Sequence, residues 1–128
     1  MPTELDPQTN QLSYDIIGCA IEVHKVLGAG LLESVYEDAL CIELEEKNIP
    51  FERQKEIGIN YKGRIIGKGY VDILVNQQVV VELKSVERFE PVYTAQALTY
   101  LRMTDKRLGL LINFNTDLLR KFIKRIIL

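Results

Sequence analysis

A chain of 128 residues, 47% hydrophobic and 27% charged, has the length and composition of one soluble globular domain. Its formal net charge of −2 argues against broad nonspecific binding to nucleic acid, which rests on cationic surface, while leaving room for a local basic patch. No apolar run approaches the ~20 residues that cross a bilayer, Met1 to Gln11 lacks the apolar core of a signal peptide, and Cys19 and Cys41 stand apart with no C-x-x-C. A cytoplasmic protein with buried, reduced thiols and no membrane partner is therefore expected.

In chain order, residues 1–10 read as a loose polar lead-in containing Pro2 and Pro7. Leu12 to Leu27 has helical spacing, with Ile16, Ile17, Ala20, Ile21, Val23, His24 and Leu27 on one broad apolar face. Ser13 or Asn10 is the expected cap, and Gly28 and Gly30 end the helix. His24, on that apolar face, reads as a hydrogen-bonded core residue rather than a catalytic one. A second helix is expected from Leu31 to about Lys47, with Glu33 in its first turn, where a carboxylate gains from the helix dipole. Tyr36 and Glu37 follow three and four residues later and share the face of Glu33.

Asn48-Ile49-Pro50 breaks this helix, and Phe51 to Tyr61 reads as a strand whose parity slips near Gly58, predicting a bulge. Lys62-Gly63-Arg64 makes a hairpin turn into Arg64 to Val75. Asn76-Gln77-Gln78 makes another, into Val79 to Val86. Pro91 opens a third helix running to about Met103, with Gln96 and Tyr100 four apart on one face. Arg107 to Phe114 is a further apolar strand. The tail, rich in β-branched residues among basic ones, reads as a short turn and a final strand, with a basic amphipathic helix as the alternative. The expected fold is α/β (α+β): a central mixed sheet flanked by helices in the order α-α-β-β-β-α-β(-β).

The chemistry concentrates in the second hairpin. If its turn centres on Gln77, Asp72 lies opposite Glu82, and strand alternation puts Lys84 on the same face. Opposed like charges destabilise a sheet. Tyr70, Leu74 and Val80 share that face, so it is not an ordinary solvent face. The cluster therefore points to a site in which a divalent cation and Lys84 offset the paired carboxylates.

Asp72 followed by Glu82-Leu83-Lys84 resembles the D…(D/E)-x-K signature of the PD-(D/E)XK nuclease superfamily. Gly30-Leu31-Leu32-Glu33-Ser34-Val35-Tyr36 resembles the motif that names its GxxExxY branch. Glu22-Val23-His24-Lys25 before that motif and Phe51-Glu52-Arg53-Gln54-Lys55 after it extend the likeness. Gln96-Ala97-Leu98-Thr99-Tyr100-Leu101 resembles a Q-x-x-x-Y helix motif, and Leu111-Ile112-Asn113-Phe114 closes the match. The resemblance implies a PD-(D/E)XK nuclease-like domain and a Mg2+ (or Mn2+) ion. It implies Asp72, Glu82 and Glu33 as metal ligands or water-positioning groups, Lys84 beside the attacking water, and Gln96 and Tyr100 facing the same cleft from the third helix to contact substrate.

Two functions follow from it. The first is a nuclease hydrolysing DNA or RNA with a magnesium-activated water. The alternative is a catalytically inactive binding or regulatory protein on the same scaffold. A nuclease this small would need a homodimer or a partner to grip a duplex.

Overall fold

The structure is a computed structural model that describes residues 5–128, so the first four residues of the expected lead-in lie outside it. The chain forms α1 (Pro7–Leu27), α2 (Glu33–Glu46), β1 (Phe51–Tyr61), β2 (Arg64–Val75), β3 (Val79–Lys84), α3 (Pro91–Thr104), β4 (Leu108–Asn113), a 3-10 turn (Leu119–Phe122) and β5 (Ile123–Ile127). The tail is the turn and strand, not the helix.

Helix α1 starts earlier than its apolar spacing implied. Asp6, not Ser13 or Asn10, is the cap: its carboxylate accepts from the Thr9 backbone N–H and hydroxyl at 2.9 and 2.8 Å. Pro7 occupies the first turn, where its missing N–H costs nothing. Residues 7–10 are therefore helix, not lead-in, because a polar first turn carries no apolar period to read. Ser13 instead turns its hydroxyl back to the Asn10 carbonyl, and the Asn10 side chain accepts from Arg125.

The five strands form one sheet in the order β1-β2-β3-β4-β5, antiparallel except for the parallel pair β3/β4. That central pair is covered on both faces, which explains its unbroken apolar runs. Val79, Val81, Leu83, Leu108, Leu110 and Ile112 pack against α1 and α2. Val80 and Leu111 pack against Ala97, Tyr100 and Leu101 of α3. The α3 crossover joins the two parallel strands, as a parallel connection requires.

The β2/β3 hairpin has the register expected, with Ile73/Val81, Leu74/Val80 and Val75/Val79 paired. Asn76 and Gln77 take left-handed φ values of 52° and 56° to close it. The paired ladder ends at Ile73/Val81, one step before Asp72 and Glu82. The β1/β2 hairpin continues well past that point, to Tyr61/Arg64. Its register slips between Ile59 and Asn60, leaving Ile66 of β2 as the extra residue, so the bulge lies on the strand opposite the one where it was expected.

Candidate active site

Regular alternation fails on both strands of the β1/β2 hairpin at one level. Phe51 and Ile73 pack on the α1/α2 side, whereas Ile57 and Val71, of the same parity, pack on the α3 side. The reversal occurs at Gln54, whose φ of 47° is left-handed, and at Asp72 opposite it. This corrects the expectation that Tyr70, Asp72 and Leu74 share one face. Tyr70 is exposed, with its hydroxyl at 3.3 Å from Glu56 Oε1.

The reversal has a direct consequence. In a regular strand Arg53 and Gln54 would point to opposite faces. Here both reach the same carboxylate. Arg53 donates from Nε and Nη2 to Glu37 Oε2 at 3.1 and 2.9 Å, and also pairs with Asp38. Gln54 Nε2 donates to Glu37 Oε1 at 2.7 Å and to Asp72 Oδ1 at 3.3 Å. Carboxylates only accept, so the amide nitrogen must face both. Glu37 is buried, and an unpaired charge there would be costly; Arg53 and Gln54 satisfy both of its oxygens.

Asp72 is held from a second direction, its Oδ2 accepting from the Leu83 N–H at 2.8 Å. That bond takes the place of a ladder contact where β2 and β3 part. Glu33, Ser34, Glu37, Gln54, Asp72 and Leu83 line a cleft of about 300 Å³ between the start of α2 and this fork. Glu33 thus shares a cleft with Asp72, as expected, but it is solvent-exposed at the mouth.

Glu82 is 5% exposed, and strand alternation puts it on the α3 face with Val80. Its Oε1 is buried without a hydrogen-bond partner. Burial first, then the charge of Asp72 and a hydrogen bond from the protonated Glu82 carboxyl to the Asp72 side chain, push it up to about 9; Lys84 opposes the shift. Lys84 is half-buried and sits with Nζ 4.7 Å from the ring centroid of Tyr93 on α3. It makes no ion pair within 4.0 Å among the described residues.

A buried, unpartnered carboxylate oxygen beside a second carboxylate is a donor pair that suits a hard divalent cation. Glu82 and Asp72 fit that description. Among the described residues no three His, Cys, Asp or Glu side chains converge closely enough to form a metal shell.

Gln96 and Tyr100 come from the opposite side of the sheet to Glu33. Gln96 Nε2 donates to the Tyr100 hydroxyl at 3.1 Å, and the Tyr100 ring lies against the backbone of Gly69. Neither hydrogen-bonds to Asp72 or Glu82. His24 ties α1 to the turn after β4, with Nε2 at 2.6 Å from the Thr116 carbonyl; that bond fixes the proton on Nε2. Asn113, fully buried, clamps the chain leaving β3 by accepting from the Val86 N–H and donating to the Val86 carbonyl.

Glu37, Arg53 and Gln54 are the site residues that spacing did not single out. Glu37 carried a signal in its four-residue distance from Glu33. Arg53 and Gln54 lay in a stretch that carried the family resemblance, but their periodicity gave no sign of the role, which depends on a backbone reversal.

A search of curated proteins found no match. Comparison with protein-family profiles matches residues 10–126 to the PD-(D/E)XK nuclease superfamily. The matched span contains β1 to β4, all but the last residue of β5, and both carboxylates of the fork. The chain belongs to the PD-(D/E)XK nuclease superfamily.

Proposed function

We propose that this protein is a metal-dependent nuclease, hydrolysing phosphodiester bonds of DNA or RNA, with residues 1–128 forming one nuclease-like domain of the GxxExxY branch. The observation that carries the reading is Glu82 Oε1, buried and unpartnered beside Asp72. A folded chain rarely leaves such an oxygen unsatisfied without a use for it. Asp72 and Glu82 would hold a magnesium or manganese ion, with Glu33 reaching it directly or through water from the cleft mouth. Such an ion supplies Lewis acidity to the phosphate and to the attacking water.

The remaining work falls to the chain's own residues. Asp72 is kept in one orientation by the Leu83 N–H and the Gln54 amide. Lys84 brings a positive charge to the Glu82 face, where it can orient water or stabilise charge on the phosphate. The Tyr93 ring, lying beneath the Lys84 ammonium, limits the directions it can take. Gln96 and Tyr100 are assigned to substrate contact from the α3 side.

Glu82→Gln and Lys84→Ala separate these roles. Glu82→Gln should weaken magnesium binding and cleavage together. Lys84→Ala should spare metal binding, or tighten it by removing a nearby positive charge, and lower the cleavage rate by ~10²–10³. Calorimetric metal titration beside a cleavage assay measures both. An unchanged rate in Lys84→Ala would make Lys84 structural. A parent protein that binds a polynucleotide but cuts none with either metal would assign the chain to the noncatalytic alternative.

A further inference from the structure

Beyond the fork at Asp72 the β1/β2 hairpin leaves the sheet. β3 pairs with β2 only at residues 73–75, while β1 and β2 stay paired from Lys55/Val71 out to Tyr61/Arg64. At roughly 3.3 Å per residue its tip lies ~23 Å from the fork, with Ile57, Gly69 and Val71 at the base packed against α3 and the rest projecting free. Between residues 58 and 68 none of its side chains is buried. An isolated two-stranded ribbon is marginal in water. This one also exposes Tyr61, Ile65 and Ile66 at 58%, 64% and 67%.

The charge of the arm is unlike that of the rest of the chain. Residues 55–71 contain Lys55, Lys62, Arg64 and Lys68 against the single acid Glu56 at the base, a net +3 in a chain whose total is −2. Lys62 and Arg64 form no ion pair among the described residues, and Lys68 meets Glu56 only at 3.7 Å on an exposed surface. Two arms of this charge repel each other, which disfavours a second copy as the partner. A polyanion matches them.

We infer that the β1/β2 arm is a duplex-DNA grip, lying in the major groove with Lys62, Arg64 and Lys68 on flanking phosphates. The inference rests on the nuclease reading only in so far as that reading supplies a polynucleotide partner; it does not require cleavage. The major groove of B-form DNA, ~12 Å wide, admits a two-stranded ribbon. The deep, narrow major groove of A-form RNA does not. Tyr61, Ile65 and Ile66 supply apolar contact to base edges and thymine methyls. The arm runs directly into Asp72, so a duplex gripped at the tip is led to the fork. At ~3.4 Å per base pair the grip lies about seven base pairs from the cut.

The test is fluorescence anisotropy in EDTA, which removes cleavage from the measurement. It compares a DNA duplex two helical turns long, an RNA duplex of the same sequence and the single strands over a range of salt. The parent should favour the DNA duplex. Lys62→Ala/Arg64→Ala/Lys68→Ala should bind it at least tenfold more weakly near 0.1 M salt. Its slope of log affinity against log salt should be shallower by up to ~2.7, about 0.9 for each lost phosphate contact. These residues lie outside the core, so the variant should melt with the parent.

A parent that binds the DNA duplex while the triple variant binds it equally well, with the same slope, overturns the arm and leaves the nuclease reading standing. Equal or tighter binding of the RNA duplex overturns the major-groove assignment. A parent that binds no polynucleotide overturns both readings. Sedimentation covers the second copy: a dimeric parent that Tyr61→Ser/Ile66→Ser converts to a monomer, with DNA affinity untouched by the cation variant, would make the arm a self-association surface.

Discussion

Gln54 and Asp72 face each other between the Arg53/Ile73 and Lys55/Val71 pairs, and the Gln54 amide bridges the Asp72 and Glu37 carboxylates. Gln54 holds this position with a left-handed backbone, a conformation that costs a non-glycine residue ~1 kcal/mol or more. The strain and the bridge can be separated. Gln54→Gly relieves the first and removes the second. It should lower the melting temperature, because the buried Glu37 oxygen left without a donor costs more than the relieved strain returns, and it should weaken magnesium binding. Gln54→Glu would set a third carboxylate between two others and should lower stability by ~1–3 kcal/mol at neutral pH. Thermal scans and metal titrations of both variants check this. Magnesium affinity unchanged in Gln54→Gly would reduce Gln54 to a fold residue.

The proton on Glu82 links stability to pH. Its carboxyl is raised from 4.5 to about 9, so the folded state binds this proton more tightly than the unfolded chain does. The resulting stabilisation is complete below the unfolded value and is lost as pH rises through about 9. The metal-free protein should therefore lose stability across that window, at no more than ~1.4 kcal/mol per pH unit. Glu82→Gln, uncharged and nearly isosteric, should flatten the profile. Urea melts in EDTA across the window measure it; parallel profiles for parent and variant would assign the dependence to another group. Metal binding must displace the same proton, so magnesium affinity should rise with pH, by up to about tenfold per unit.

Tyr36 connects the core to the loop before Glu33. Its ring stacks on Phe114 with centroids 4.4 Å apart, while its hydroxyl donates to the Gly28 carbonyl at 2.7 Å and accepts from the Leu31 N–H at 3.1 Å. Tyr36→Phe keeps the stack and strands both backbone groups, at a cost of ~1–3 kcal/mol. Hydrogen exchange should show the Leu31 amide losing protection. A protected Leu31 amide in the variant would mean that the loop is held by other contacts.

Gly69 is required by Tyr100. A Cβ on residue 69 would come within 2.7 Å of Tyr100 Cε1 and 3.0 Å of its hydroxyl. The ring is largely buried, so it has little room to yield. Gly69→Ala should cost ~1–3 kcal/mol through overpacking. Adding Tyr100→Leu should recover part of that loss, and a double-mutant cycle by denaturant melts tests the coupling. Strict additivity would show that the ring moves aside freely.

Local periodicity carried much of this architecture. Side chains alternate along a strand and recur every three to four residues along a helix. The β2/β3 register, the α2 face bearing Glu33, Tyr36 and Glu37, and the order of the elements were therefore legible in the residues themselves. The two buried faces of β3 and β4 showed in their unbroken apolar runs. Even the start of α1 was within reach: Asp6, Pro7 and Thr9 make a recognisable cap.

The fork was not legible, because it breaks the period on which such reading depends. Gln54 adopts a left-handed backbone only because Glu37, 17 residues earlier, and Asp72, 18 later, reward its amide. That reversal turns Arg53 and Gln54 to one carboxylate and puts Tyr70 and Leu74 on opposite faces of the sheet. The buried, unpartnered oxygen of Glu82 likewise arises only when α3 covers that face of the sheet. Each of these follows from contacts between residues distant in sequence, and tertiary packing alone brings them close enough to outweigh the local preference of the backbone.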